Sequence, residues 1–232
     1  MSRPVYRLLG AATFLLLSLI PSIADASAID FLGVGHGASI TVAGSARSGT
    51  FMAGELNWQW IGTTPDGFAQ SFYSYCIDVS NNLVDGQTVT PRSSSGFTNG
   101  ATDGGSKAAW LFNEYAAAIR ANNTSTANTQ AAALQVAIWE AMYDTSANLG
   151  DGTFRLTTTG SIRSQAQSYL ASLYNVGSSI YTQSVASVLE VARGDRGQDQ
   201  IVSRVSEPST LLLVGVAFLM FAKRARRNHR RT

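Results

Sequence analysis

The spacing of apolar residues changes near Lys107, and the change restricts the folds open to this chain. Residues 38–43, 54–61 (GELNWQWI) and 67–79 (GFAQSFYSYCIDV) alternate apolar with polar and are rich in aromatic and β-branched side chains. That period of two predicts strands, with a shorter one over 88–90. From Lys107 the apolar residues recur every three and four positions, through 107–120 (KAAWLFNEYAAAIR) and again through 129–143 (TQAAALQVAIWEAMY). This spacing predicts two helices. Beyond them 153–158 reads as a strand, 162–173 as a helix and 184–191 as a closing strand. Glycine, serine, threonine and asparagine dominate 93–106 and 122–128, which read as loops. Strands followed by helices predict an α+β fold, an antiparallel β-rich first half packed with a helical pair. Residues 29–192 are long enough to be one such domain with its own core.

Both ends of the chain follow different rules. Residues 1–28 carry Arg3 and Arg7, an apolar run over 8–20, Pro21 and then Ala24-Asp25-Ala26-Ser27-Ala28, which holds two small-x-small sites. This is the pattern of a secretory signal peptide, a substrate of signal peptidase, with cleavage expected after Ala28. The other end has Ser206-Glu207-Pro208, an uncharged apolar run from Leu211 to Ala222, and then Lys223, Arg224, Arg226, Arg227, Arg230 and Arg231. Pro208 stops any preceding element, the run favours a helix, and the basic cluster holds its end on the cytoplasmic side. A stable span needs about 20 apolar residues, so this run is expected to hold the inner membrane only transiently. The order of parts over 206–232 resembles the PEP-CTERM sorting signal of Gram-negative bacteria, with Ser206 in place of the first proline. The resemblance implies an exosortase, an integral-membrane cysteine protease, as partner and delivery to the cell surface or beyond it. A plain C-terminal membrane anchor is the alternative. Residues 193–205 read as a polar linker to this tail.

The ends also account for the charge. They hold eight of the 17 Lys and Arg and two of the 15 Asp and Glu, so the remaining middle is acidic. No basic cluster remains there to bind nucleic acid.

Cys76 is the only cysteine, so no intramolecular disulfide can form although the chain reads as exported to an oxidising compartment. Such a thiol pairs with another chain, oxidises, lies buried as a small apolar residue, or is consumed by another covalent bond. Two segments bear on the choice: Tyr75-Cys76-Ile77-Asp78 near the end of an aromatic strand, and Leu134-Gln135-Val136-Ala137-Ile138-Trp139 in the second helix. Together, over about 72–144, they resemble the thioester domains of Gram-positive surface adhesins. The first segment matches a Tyr-Cys-(Ile/Val/Leu)-Asp motif and the second a Thr-Gln-x-Ala-Ile-Trp motif, with Leu134 where threonine is usual. Gln130 also follows a threonine but lacks the Ile-Trp that follows Gln135. The resemblance implies an internal thioester between Cys76 and Gln135.

A thiolate can displace ammonia from a glutamine amide when the fold holds the two in near-attack geometry. Tyr75 or backbone N–H groups are expected to stabilise the tetrahedral oxyanion, Asp78 to orient Tyr75, a backbone amide or a turn, and Trp139 to shield the bond from water. Helical spacing puts Gln135 on an inward stripe with Ile138, Trp139 and Met142.

Three function classes follow. In the first, an adhesin captures a protein or polysaccharide nucleophile covalently and is not an enzyme in the turnover sense. In the second, a passive surface or biofilm-matrix protein uses any internal bond for rigidity alone. In the third, Cys76 serves a cysteine hydrolase with His36, the one histidine outside the tail, as base. His36 sits in Gly33-Val34-Gly35-His36-Gly37, which reads as a solvated turn and, lacking Lys-Ser/Thr, is no phosphate loop. No cofactor and no metal are expected, because one histidine and one cysteine cannot build a zinc site without several carboxylates.

Overall fold

The structure is a computed structural model that describes residues 26–184, 186–192 and 196–204. The expected signal peptide up to residue 25, the motif Ser206-Glu207-Pro208 and the apolar run from Leu211 lie outside the described residues. Among the described residues no helix is long and apolar enough to cross a membrane.

Strands β1 (Ser27–Ala43) and β2 (Gly49–Ile61) form a long antiparallel hairpin, followed by β3 (Ser71–Cys76) and β4 (Thr88–Ser93). Helices α1 (Gly104–Arg120) and α2 (Thr126–Tyr143) come next, then β5 (Arg155–Leu156), α3 (Ser161–Val176), the short α4 (Ser178–Tyr181), β6 (Ser187–Val191) and β7 (Gln200–Val202). The pairing order β2-β3-β7-β6-β4-β1, together with the β1–β2 pairing, returns to its start. Six antiparallel strands therefore close into a barrel, and β5 hangs on the far end of β1. Closure leaves these six without a free edge along the ring.

Alternation along the strands sorts side chains into two cores. Ile29, Leu56, Trp58, Trp60, Val89, Leu189 and Val202 form a smaller cluster between the strands. Within it the Trp58 indole donates to Ser74 Oγ at 2.9 Å, and Ser74 in turn donates to Gln200 Oε1 at 2.8 Å. The larger cluster joins α1, α2 and α3 to the sheet through residues such as Tyr75, Phe112, Ile138 and Leu170. The α+β class and the helical pair agree with the sequence reading, and each of the two helices starts three residues earlier than expected.

Three differences have physical causes. First, β1 begins at Ser27 rather than near residue 38, because the glycine-rich 33–37 is held by its partner strand and not by its own side chains. Register shifts at Phe31/Gly33 and Val34/Gly37 mark irregularities there. Gly54 faces this kink at φ +147°, and a Cβ on it would collide with the His36 carbonyl. Second, the stretch read as a linker supplies β7, three buried residues seated between β3 and β6. A strand that short has no readable period and owes its place to ladder bonds on both sides. Third, α2 is not amphipathic: every residue from Ala131 to Tyr143 is buried, since α1, α3 and strands β1 to β3 surround it.

Candidate functional site: a buried cysteine and glutamine

Strand β3 ends at Cys76 because the chain turns there. Ile77 N–H still donates to the Asp199 carbonyl at 3.0 Å, but the Asp78 carboxylate then accepts from Ser80 N at 2.9 Å and closes an Asx-type turn. Asn81 Nδ2 bonds the second oxygen of the same carboxylate, and Tyr143 Oη donates to the first at 3.0 Å. Arg47 fastens the following loop through the carbonyls of Val79 and Asn81, at 3.1 and 2.7 Å, with its guanidinium over the Phe51 ring. The strand end is thus held from three sides.

Helix α2 brings Gln135 onto that strand end. Its Oε1 accepts from Cys76 N–H at 2.9 Å, and its Nε2 donates to the Cys76 carbonyl at 2.6 Å. The carboxamide therefore docks on one residue's backbone like a further rung of the sheet, which satisfies a buried amide that would otherwise be costly. Its carbon is held against the residue that bears the sulfur. The Cys76 thiol donates to the Asp78 carbonyl at 2.9 Å. Cys76 and Gln135 are buried, yet both line a cleft of about 280 Å³ with Trp139, Leu56, Val34 and Met52. Val34 and Met52 are exposed, so the cleft reaches the surface through an apolar mouth.

The electrostatics keep the thiol neutral. Burial pushes its pKa far up and the Asp78 charge adds to the rise, with a smaller push from Asp199. The Asp78 backbone and the nearby Trp139 indole work the other way, favouring the charged sulfur. Burial also lifts Asp199 to about 6, against the Val191 N–H that bonds its carboxylate.

The expected site residues divide. Cys76, Gln135 and Trp139 meet in the cleft. Asp78 caps the turn and receives Tyr143, with no bond to Tyr75. Strand alternation sends Tyr75 to the helix side against Phe112, where its hydroxyl has no hydrogen-bond partner among the described residues. The position facing the amide oxygen is taken by the Cys76 N–H instead. Gln130 accepts from Asn122 Nδ2 at 2.8 Å beside the α1–α2 loop. His36 bonds Asn128 at 3.4 Å and is not among the residues lining the cleft. Among the described residues no group of three or more His, Cys, Asp or Glu is placed to hold a metal ion.

Tyr143 and Arg47 were missed. Tyr143 lies eight residues after Gln135 and four after Trp139, so the stripe that pointed to Trp139 also pointed to it. Nothing local in the sequence marks Arg47.

Fold and site together define a barrel-and-helix domain arranged around one buried Cys–Gln contact. Residues 73–179, which carry both halves of that contact, match the family model described as TED, thioester domain. No curated protein and no solved structure was found to match the chain.

Proposed function

We propose that the protein is an exported, adhesin-like surface protein whose Cys76 and Gln135 form an internal thioester that captures a nucleophile covalently. The observation that carries this reading is the pair of hydrogen bonds from the Gln135 carboxamide to the Cys76 backbone. The thioester-domain match over 73–179 supports it.

In the first step the Cys76 sulfur adds to the Gln135 amide carbon. The C–Nε2 bond breaks, and the thiol proton leaves with the nitrogen as ammonia. The Cys76 N–H, already on Oε1, supports the oxygen as charge develops there. In the second step an amine or hydroxyl on a protein or polysaccharide attacks the same carbon. The C–S bond breaks, the proton of the nucleophile passes to sulfur, and the target stays on the Gln135 acyl group. A neutral thioester suits a dry cleft that disfavours the thiolate.

Export through the N-terminal signal and delivery through an exosortase, after a transient hold in the inner membrane by 211–222, complete the proposal. Cleavage after Ala26 would leave β1 whole, whereas cleavage after Ala28 removes Ser27 and Ala28, the two residues that pair with β4. The passive-matrix reading would keep the fold without the bond. The hydrolase reading is weakened by His36, which sits with Asn128 away from the cleft lining.

Intact mass of the purified protein tests the reading. The expected mass is one ammonia below that calculated, methylamine adds its own mass to that value, and Cys76→Ala shows neither change. A full calculated mass with a freely alkylated Cys76 in the native protein overturns it.

A further inference from the structure

We propose that the Trp139 indole N–H is a catalytic hydrogen-bond donor to the Cys76 sulfur, holding it as the bond to the Gln135 carbon forms and as it breaks. The inference rests on the thioester reading, and it goes beyond the shielding expected of this side chain.

Its basis is an unpartnered donor. Trp139 is 4% exposed, and its Nε1 closes no hydrogen bond of standard geometry among the described residues. A buried N–H left in that state has lost its water without gaining a partner, so a native position that keeps one calls for an explanation. The ring lies one helical turn after Gln135, on the same face of α2, and lines the same cleft as the sulfur. Phe154 holds it from the side, with ring centroids 5.9 Å apart.

The surroundings of the sulfur say what the donor is for. In both steps sulfur carries negative charge, first as it attacks and later as it leaves. Burial, Asp78 and Asp199 all oppose that charge. Water is scarce at a residue that is 2% exposed. Two groups favour the charged sulfur, the Asp78 backbone and the Trp139 indole, and Trp139 is the side chain of the two. In the resting thiol the S–H points at the Asp78 carbonyl, so the indole has no strong acceptor. It gains one only when sulfur becomes anionic. A donor that bonds the charged state and not the resting state lowers the barrier without stabilising the ground state.

Trp139→Phe keeps an aromatic shield and removes only the N–H, so it separates donor from shield. In the full-length protein the wild type should carry the ammonia-deficient mass, and Trp139→Phe should react with methylamine about a hundredfold more slowly. An unchanged rate, or a variant whose bond is simply lost faster to water, overturns the donor role. A second measurement does not depend on the bond. In Gln135→Ala no thioester can form, and Cys76 is alkylated by iodoacetamide across a range of pH with Trp139 or Phe at position 139. Loss of the donor should move the profile up by about one pH unit, and an unmoved profile overturns the proposal. Should Trp139→Phe fail to form the bond at all, a moved profile places the defect at bond formation and supports the donor, while an unmoved one sinks it. A wild type of full calculated mass would instead count against the thioester reading, and the alkylation profiles would still decide whether the indole favours the thiolate.

Discussion

At the scale of single residues, the two central side chains, Cys76 and Gln135, bond to backbone, while the Asp78 carboxylate beside them gathers side-chain donors. Cys76 and Gln135 were legible in the sequence because an unpaired cysteine in a chain that reads as exported is unusual and both flanking segments agree. Tyr75 was misplaced: strand alternation decides which face a residue takes, and Cys76 holds the cleft side. Tyr143 has a role that a substitution can expose. Its hydroxyl donates to the Asp78 carboxylate that caps the turn after Cys76. Tyr143→Phe is expected to cost about 1.5–3 kcal/mol in urea denaturation, the range for a hydrogen bond to a charged acceptor. It should also speed alkylation of Cys76 in a Gln135→Ala background by loosening the turn.

Among the elements, α2 governs the rest. Ala131, Ala132, Ala133 and Ala137 are fully buried, and such small side chains let α1, α3 and the sheet close around the helix. Ala133→Leu is expected to destabilise by about 1–3 kcal/mol through overpacking, read from the midpoint of urea unfolding. The same helix holds Glu140, fully buried with neither carboxylate oxygen hydrogen-bonded among the described residues. Burial pushes its pKa up to about 8, Asp144 adds to the rise, and Arg163 opposes it. The folded chain therefore keeps a proton that the unfolded chain has released, from the ordinary 4.5 up to about 8. Stability should fall as pH rises through that window. Glu140→Gln should remove the fall and stabilise at neutral pH by of the order of 2 kcal/mol; melting temperatures measured across the window check both. Sequence periodicity located this helix but took it for amphipathic, because spacing shows which residues can share a face and not how many neighbours surround it.

For the whole molecule, closure of the barrel rests on β7, which joins β3 to β6 and so ties the strand bearing Cys76 to the rest of the ring. Removing 200–204 should leave β3 and β6 with unpaired edges and expose Ile201's neighbours in the core. Loss of a single cooperative thermal transition is the expected result, and an unchanged melt would show that the ring does not need this strand. Asp199, just before β7, is lifted to about 6 by burial, and Glu55 is also raised, chiefly by burial. Both act in the same sense as Glu140, so the global pH profile should slope toward greater stability in mild acid. The sequence by itself determined the mixed α+β class, the pair of central helices after the first strands and the two residues that meet in the cleft. Those properties depend on local period, composition and residue chemistry. Only the tertiary structure decided that six strands close, that a polar stretch near the end supplies the sixth, and that Trp139 but not Tyr75 lines the cleft with Cys76. These depend on partners far apart in the chain, and hydrogen bonds across a ladder leave no mark in the local pattern of either strand.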